Sequence, residues 1–268
     1  MGSEKTALYD TGMACFADNL IYNLSLVLDE EKRTLDYILM SHTHYDHIGA
    51  LPYVLKKWPD AVVCGNEKAS HVFRSKTALA TMRNLGETAK KTYGMDNAEI
   101  TTDGMRVDKI VKDGDEISLG DKKVTVIESK GHTDCSLAYY ILPEKILISC
   151  ESTGLLRGPG RISTAPLKSI DESIASAKRL KNMDYECLII PHYGVCPYNY
   201  RYDFFDDYIK EQLEEKKLIE DGIAAGLTED EILEEHKKRY WTEERAKAQP
   251  YEAYKLNTEI VIRQLMNR

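Results

Sequence analysis

The chain has 268 residues, 43% of them hydrophobic, which suits one full-sized domain or a domain with an appendage. A net charge of −8 and a pI near 5.5 argue against the broad basic face that nucleic-acid binding requires. The sequence has no apolar run long enough to span a bilayer and no basic-then-apolar leader, so neither a membrane span nor a secretory signal is expected. The cysteines at 15, 64, 135, 150, 187 and 196 form no CxxC pair, and several sit in apolar runs. Small, buried, reduced thiols are expected, and with them a cytoplasmic protein.

In chain order, residues 6–12 (Thr-Ala-Leu-Tyr-Asp-Thr-Gly) read as a short strand closed by a turn. Asn19 to Leu28 fits a helix with Leu20, Ile21, Leu24 and Leu28 on one side. The apolar run from Leu35 to Met40 reads as a buried strand, and it delivers Ser41-His42-Thr43-His44-Tyr45-Asp46-His47 into a turn. Three of the seven histidines in the chain and an aspartate thus fall within six residues. Imidazole and carboxylate are the ligands favoured by zinc and by non-haem iron or manganese, so a metal site is expected here.

A helix from Tyr53 to Trp58, a strand from Ala61 to Cys64, and helical stretches at Lys68–Phe73 and Ala78–Thr92 follow. This alternation places helices outside a sheet. Glu116–Leu119 and Lys123–Ile127 flank Gly120-Asp121 as a hairpin and lead to Gly131-His132, where glycine permits a sharp backbone turn. A second hairpin, Leu137–Leu142 with Lys145–Ser149, ends at Cys150-Glu151. Residues 155–164, with Arg157 and Arg161, read as a loop over a pocket mouth, either arginine being able to hold a carboxylate or phosphate. Ser169 to Leu180 reads as a helix, and Cys187 to Ile190 as an apolar strand ending in Pro191-His192-Tyr193-Gly194. From residue 198 the chain becomes a charged helical tail. Phe205, Ile209 and Leu213 repeat at four-residue spacing, Thr228 and Glu231 form a capping box, and Pro250 opens a last helix with Leu256, Ile260 and Leu265 inward. His71 and His236 sit in helical context and are read as non-ligands.

His42-x-His44-x-Asp46-His47, the strand-end Asp10-Thr11-Gly12, Gly131-His132-Thr133 and Pro191-His192-Tyr193-Gly194 together resemble the signature of the metallo-β-lactamase fold superfamily, over roughly residues 6–196. The resemblance implies an α/β fold, an αββα sandwich, for residues 1–197, with 198–268 as a helical C-terminal extension. It implies two metals, one held by His42, His44 and His132, the other by Asp46, His47 and His192, with a carboxylate between them. That carboxylate is commonly an aspartate; here Glu151 stands in its place, reaching about 1.5 Å farther, roughly one C–C bond. Cys150 beside it is a competing thiolate, but neighbours on a strand face opposite sides, and Glu151 is the expected ligand. The stretch between His47 and His132 is longer than small members use, and residues 67–93 are expected to wall or cover the site. Only five residues precede the first strand-like segment, so the first strands of the fold are expected to be missing. A partner subunit in a homodimer would then cover the free edge.

Metals about 3.5–4 Å apart hold a hydroxide between them. The resemblance therefore implies a hydrolase that attacks an ester, thioester, lactone or phosphodiester of a small-molecule substrate. Asp46 is the catalytic residue expected to orient the nucleophile or move its proton. Zinc is the expected metal; ligand type alone also accommodates iron or manganese. The alternative is a di-iron redox or oxygen-binding sensor protein. Gly49-Ala50-Leu51-Pro52 and the segments from Asp134 to Leu137 and Pro143 to Leu147 are similar to flavodiiron proteins. Those proteins typically carry glutamate where this chain has His44, and a flavodoxin domain besides.

Overall fold

Short apolar runs, each closed by a turn, become the strands of two units in this computed structural model, which describes residues 1–158, 160–248 and 250–267. One unit comprises Met1–Glu128 with Leu137–Pro143, the other Ser129–Ser136 with Glu144–Arg268.

In the first unit, β1 (Ala7–Tyr9), β2 (Tyr37–Leu39), β3 (Val62–Gly65) and β4 (Lys109–Ile110) form a parallel sheet in that order. Ile38 and Val63 pair in register and are fully buried. A parallel strand covered on both faces reads in the sequence as an unbroken apolar run, as 37–40 does. The connections carry helices α1 (Ala17–Glu30), α2 (Tyr45–Ile48), α3 (Leu51–Lys57), α4 (Glu67–Arg74) and α5 (Lys76–Thr92). Asn66 and Ser75 cap α4 and α5 by accepting from Ala69 N and Ala78 N, each cap contributing on the order of 1 kcal/mol. β5 (Glu116–Ser118), β6 (Lys123–Glu128) and β7 (Leu137–Leu142) form an antiparallel meander. Leu137 N donates to Ser41 O (2.8 Å) and the Tyr139 hydroxyl to Met40 O (2.8 Å), so β7 is tied to the segment that leaves β2.

In the second unit, β8 (Ile146–Ile148) pairs in parallel with β11 (Cys187–Ile190), which pairs antiparallel with β12 (Gly194–Val195). The segment expected to be a loop instead forms β9 (Leu155–Gly158) and β10 (Arg161–Ser163), an antiparallel pair with a bulge at Arg161/Ile162. Leu155, Leu156 and Ser163 are buried, so the glycines that suggested a loop serve the turn of a hairpin. Pro159 lies outside the described residues.

Helices α6 (Ile170–Lys181), α7 (Phe204–Ala224), α8 (Glu229–Tyr240), α9 (Glu243–Ala248) and α10 (Tyr251–Met266) complete this unit. The Thr228–Glu231 capping box opens α8. Ile170, Ile219, Ile232, Val261, Ile262 and Leu265 form a shared core, each large side chain contributing about 1.5–3 kcal/mol by burial. Phe205 of α7 and Leu265 of α10 are buried. Leu213 and Leu256 are about half exposed (50% and 53%), while Tyr208, Gln212 and Glu215 of α7 and Tyr254, Thr258 and Val261 of α10 are buried. In the middle of α7 the inward positions go to polar side chains that hydrogen-bond one another. Among the described residues no helix is long and apolar enough to cross a membrane.

Candidate functional site

In the first unit the site is built where β1 and β2 end. β2 stops at Leu39, and the chain passes through Ser41 and His42 into α2, which carries Asp46 and His47 in its single turn. His42 and His47 are buried, and His44 and Asp46 are partly open. The His42 ring lies 4.1 Å from that of His47 and 4.6 Å from that of His44, centroid to centroid. Asp46 Oδ2 lies 3.8 Å from His47 Nε2.

Asp10, at the end of β1 and in the left-handed region (φ 51°), organises this group. Its Oδ1 accepts from Ser41 N (2.7 Å), and its Oδ2 from Ser41 Oγ (2.6 Å) and His47 Nδ1 (2.8 Å). A carboxylate only accepts, so His47 Nδ1 carries the proton and Nε2 carries the lone pair. Ser41 Oγ spends its hydrogen on Asp10 and accepts from His42 Nδ1 (2.9 Å), which assigns the same tautomer to His42. Thr11 N and Gly12 N donate to His47 O (2.7 and 2.8 Å), fixing the backbone of α2 against the end of β1. Asp10 and Ser41 were not expected as site residues; the Asp-x-Gly strand end was the signal that held them.

In the second unit His132, Glu151 and His192 come together. Glu151 opens a single 3-10 turn, Glu151–Thr153, after β8. One carboxylate oxygen lies 2.7 Å from His132 Nε2 and the other 2.5 Å from His192 Nε2. His132 Nδ1 donates to Ala165 O (2.7 Å), since a carbonyl only accepts, and His132 N donates to Ser152 Oγ (3.1 Å). With Nδ1 committed to that carbonyl, Nε2 is the nitrogen turned to the site, where its contact with the Glu151 carboxyl requires a proton on Nε2 or on Glu151. Gly131 before it has φ 127°, and a Cβ there would stand 2.5 Å from Ser173 N, so glycine is required by both conformation and space. His192 follows β11 in the left-handed region (φ 61°) and is the more exposed of the two imidazoles.

Cys150 is buried, and its Sγ–H donates to Ser129 O (3.6 Å). Tyr193, beside the last candidate ligand, is 40% exposed. Arg161 pairs with Glu244 (2.7 Å). Arg157 is half-buried with Nε on Ser163 Oγ (3.4 Å); burial holds its guanidinium below the usual arginine value, and the negative charge of Glu151 acts in the opposite direction. His71 bonds Glu67 O through Nδ1 on exposed α4, and His236 lies buried between Glu215 and Tyr254.

The sequence model of the Metallo-beta-lactamase superfamily matches residues 2–192. The chain is 32% identical over 152 residues to a nitric oxide reductase from Moorella thermoacetica, covering 56% of this chain and 32% of that protein. It is 26% identical over 147 residues to a hydroxyacylglutathione hydrolase from Legionella pneumophila, covering 55% of this chain and 44% of that one. The chain thus spans less than half the length of either curated relative. An archaeal metallo-beta-lactamase superfamily protein from Sulfolobus tokodaii superposes with a TM-score of 0.60 at 22% identity, covering 79% of this chain and 77% of that one; this likeness is one of fold.

Proposed function

The chain belongs to the metallo-beta-lactamase superfamily, and from that premise we propose a binuclear metal-dependent hydrolase of a small-molecule ester, thioester, lactone or phosphodiester. In this reading His42, His44 and His132 hold one metal, Asp46, His47 and His192 the other, and Glu151 stands between them. The supporting observation is that His42, His47 and His132 all commit Nδ1 to the protein. Each has Nδ1–H bonded to a serine oxygen, a carboxylate or a carbonyl, which leaves Nε2 as the nitrogen that would face a metal, at His132 in place of the proton shared with Glu151, the arrangement that metal-ligating histidines take. Five imidazoles and two carboxylates suit zinc first, and iron or manganese also.

Bound metals of this kind polarise the scissile carbonyl or phosphoryl oxygen and lower the pKa of water toward neutrality. Asp46 takes up the proton of the attacking water at its Oδ2. Glu151 turns one carboxyl oxygen toward His132 and the other toward His192, so its carboxylate would help to hold both metals. Arg157, half-buried in the hairpin that follows Glu151, favours a substrate carrying an anionic group. None of the six cysteines forms a disulfide, which supports a reducing compartment and a cytoplasmic location.

The test joins elemental analysis to a hydrolysis screen. Two zinc atoms per chain, with turnover of an ester, lactone or phosphodiester that His44→Ala abolishes while circular dichroism is unchanged, is the expected result. Full turnover in that variant overturns the hydrolase reading. A second reading, a di-iron redox protein, is favoured by the 32% identity to the Moorella nitric oxide reductase. Two iron atoms per chain with an oxygen-sensitive visible band would decide for it.

A further inference from the structure

A buried polar ladder runs along α7 where an amphipathic helix normally presents apolar side chains. Tyr208, Gln212 and Glu215 follow at the i, i+4, i+7 spacing of one helix face, exposed by 0%, 0% and 4%. Gln212 Nε2 donates to Glu215 Oε2 (2.9 Å), and Gln212 Oε1 lies 3.2 Å from the Tyr208 hydroxyl. His236 of α8 donates from Nε2 to Glu215 Oε1 (2.8 Å), which leaves its Nδ1 to accept from the Tyr254 hydroxyl of α10 (2.6 Å). A buried carboxylate is costly unless fully bonded, and one partner removed leaves the other exposed to that cost. Helix packing alone is served by apolar residues such as Ile219 and Ile232 in the same core.

The outward partners of the ladder point to its use. The Tyr208 hydroxyl donates to Ser152 O (2.9 Å), and Ser152 Oγ accepts the His132 N–H (3.1 Å). Glu215 Oε2 accepts from Thr164 Oγ1 (2.6 Å), and the next residue, Ala165, supplies the carbonyl that takes the His132 Nδ1 proton. Two protein contacts of His132 are thus held by the same face of one helix, Ser152 directly and Ala165 through the adjacent Thr164. Gly154 allows the approach, since a Cβ there would stand 2.3 Å from the Tyr208 ring.

We infer that Tyr208 and Glu215 are positioning residues, and that this face of α7 sets the orientation of His132 toward its metal. The inference rests on the proposed metal centre. Satisfied buried networks of this kind hold a single arrangement of the groups they touch, and loss of an outer partner of a ligand commonly weakens metal binding about 10- to 100-fold. Thr164→Val and Tyr208→Phe each remove one outward bond with almost no change of shape.

The experiment is zinc titration of the full chain against a competing chelator, with the d–d absorption of cobalt-loaded protein as a second readout. Wild type, Thr164→Val, Tyr208→Phe and Leu265→Ala are compared, the last being a core truncation in α10 away from the ladder. The expected result is two zinc atoms in wild type, one binding step weakened about 10- to 100-fold with a shifted cobalt spectrum in the two polar variants, and both steps unchanged in Leu265→Ala despite a lower Tm. Folded polar variants with wild-type affinities and spectra overturn the inference and leave the metal reading standing. An equal loss in Leu265→Ala also overturns it, by assigning the effect to general stability. A wild-type chain that binds no zinc, iron or manganese overturns the metal reading and the inference with it.

Discussion

Asp10→Asn tests whether the end of β1 tunes the imidazole of His47. The substitution keeps the side-chain shape and one carbonyl oxygen, which can still accept from Ser41 N (2.7 Å in the wild type). The other oxygen, which accepts from both Ser41 Oγ (2.6 Å) and His47 Nδ1 (2.8 Å), becomes an amide NH2. Ser41 can rotate its hydroxyl to accept from that amide. His47 cannot follow without surrendering the Nδ1 proton, and with it the lone pair on Nε2 that faces a metal. The loss is therefore one charge-assisted hydrogen bond, on the order of 1.5–3 kcal/mol. Independently, removing the outer partner of a ligating histidine lowers metal affinity by about 10–100-fold. A tenfold change corresponds to about 1.4 kcal/mol, so the two routes agree in size. Zinc titration against a chelator should show this weakening at one of two binding steps, with circular dichroism unchanged. Two steps both within about twofold of wild type would refute the reasoning; each twofold is only about 0.4 kcal/mol.

Gly131→Ala should destabilise the chain by about 1–3 kcal/mol for a side chain held at φ 127° and a further 1–3 kcal/mol, roughly, for the overlap with the Ser173 backbone. Urea unfolding of chelator-treated protein measures it, and a change below about 0.5 kcal/mol contradicts the close approach. Cys150→Ser should leave metal stoichiometry at the wild-type value, whereas Glu151→Gln should lower it; the reverse pattern in elemental analysis would make the thiol the ligand. Burial acts to raise the Glu215 carboxyl, but hydrogen bonds from His236 and Thr164 with nearby positive charge outweigh it and hold the group below its ordinary 4.5. A depressed carboxyl contributes stability that is complete above the unfolded value and is lost as pH falls through the folded one. The stability gap between wild type and Glu215→Gln should accordingly be full at neutral pH and narrow below 4.5. A gap that stays constant into acid would show that the charge of Glu215 contributes nothing.

The elements with unbroken apolar runs or clear caps were legible from residues alone. Leu35 to Met40 is a central strand segment, Cys187 to Ile190 is β11 to the residue, and Thr228 with Glu231 caps α8 as its spacing indicates. The gathering of His42, His44, Asp46 and His47 was equally visible, because four side chains of two ligand types fall within six residues. Residues that act through partners distant in sequence were not visible. Asp10 reaches Ser41 and His47 across more than thirty positions, and Glu215 reaches Thr164 across fifty-one. The same blindness put Leu256 on the inward face of α10, where it is half exposed. A helix read by its leucines assigns Leu256 to the core, yet polar side chains take the inside wherever partners from other elements satisfy them. The hairpin of β9 and β10 was hidden by Gly158 and Gly160, which mark a turn as readily as a loop.

Each candidate ligand lies within a few residues after the C-terminal end of a strand: Asp46 and its histidines after β2, His132 after β6, Glu151 after β8 and His192 after β11. Strand ends are where backbone hydrogen bonding stops and side chains of neighbouring connections meet, which is why open α/β sheets hold ligands there. Two such ends carry a strained conformation. Asp10 (φ 51°) and His192 (φ 61°) both occupy the left-handed region without being glycine, at about 1–2 kcal/mol each. Glycine would relieve that strain at either position, and asparagine would tolerate the conformation at Asp10. Neither replacement supplies an acceptor-only carboxylate beside His47 or an imidazole beside Glu151. Lys32 (φ 52°) and Lys145 (φ 55°) share that region, so at Asp10 it is the strain together with the bonds of its carboxylate to Ser41 and His47 that marks a side chain retained for its chemistry. By that argument Asp10 belongs with the seven residues proposed as ligands, as the group that decides which nitrogen of His47 faces the metal.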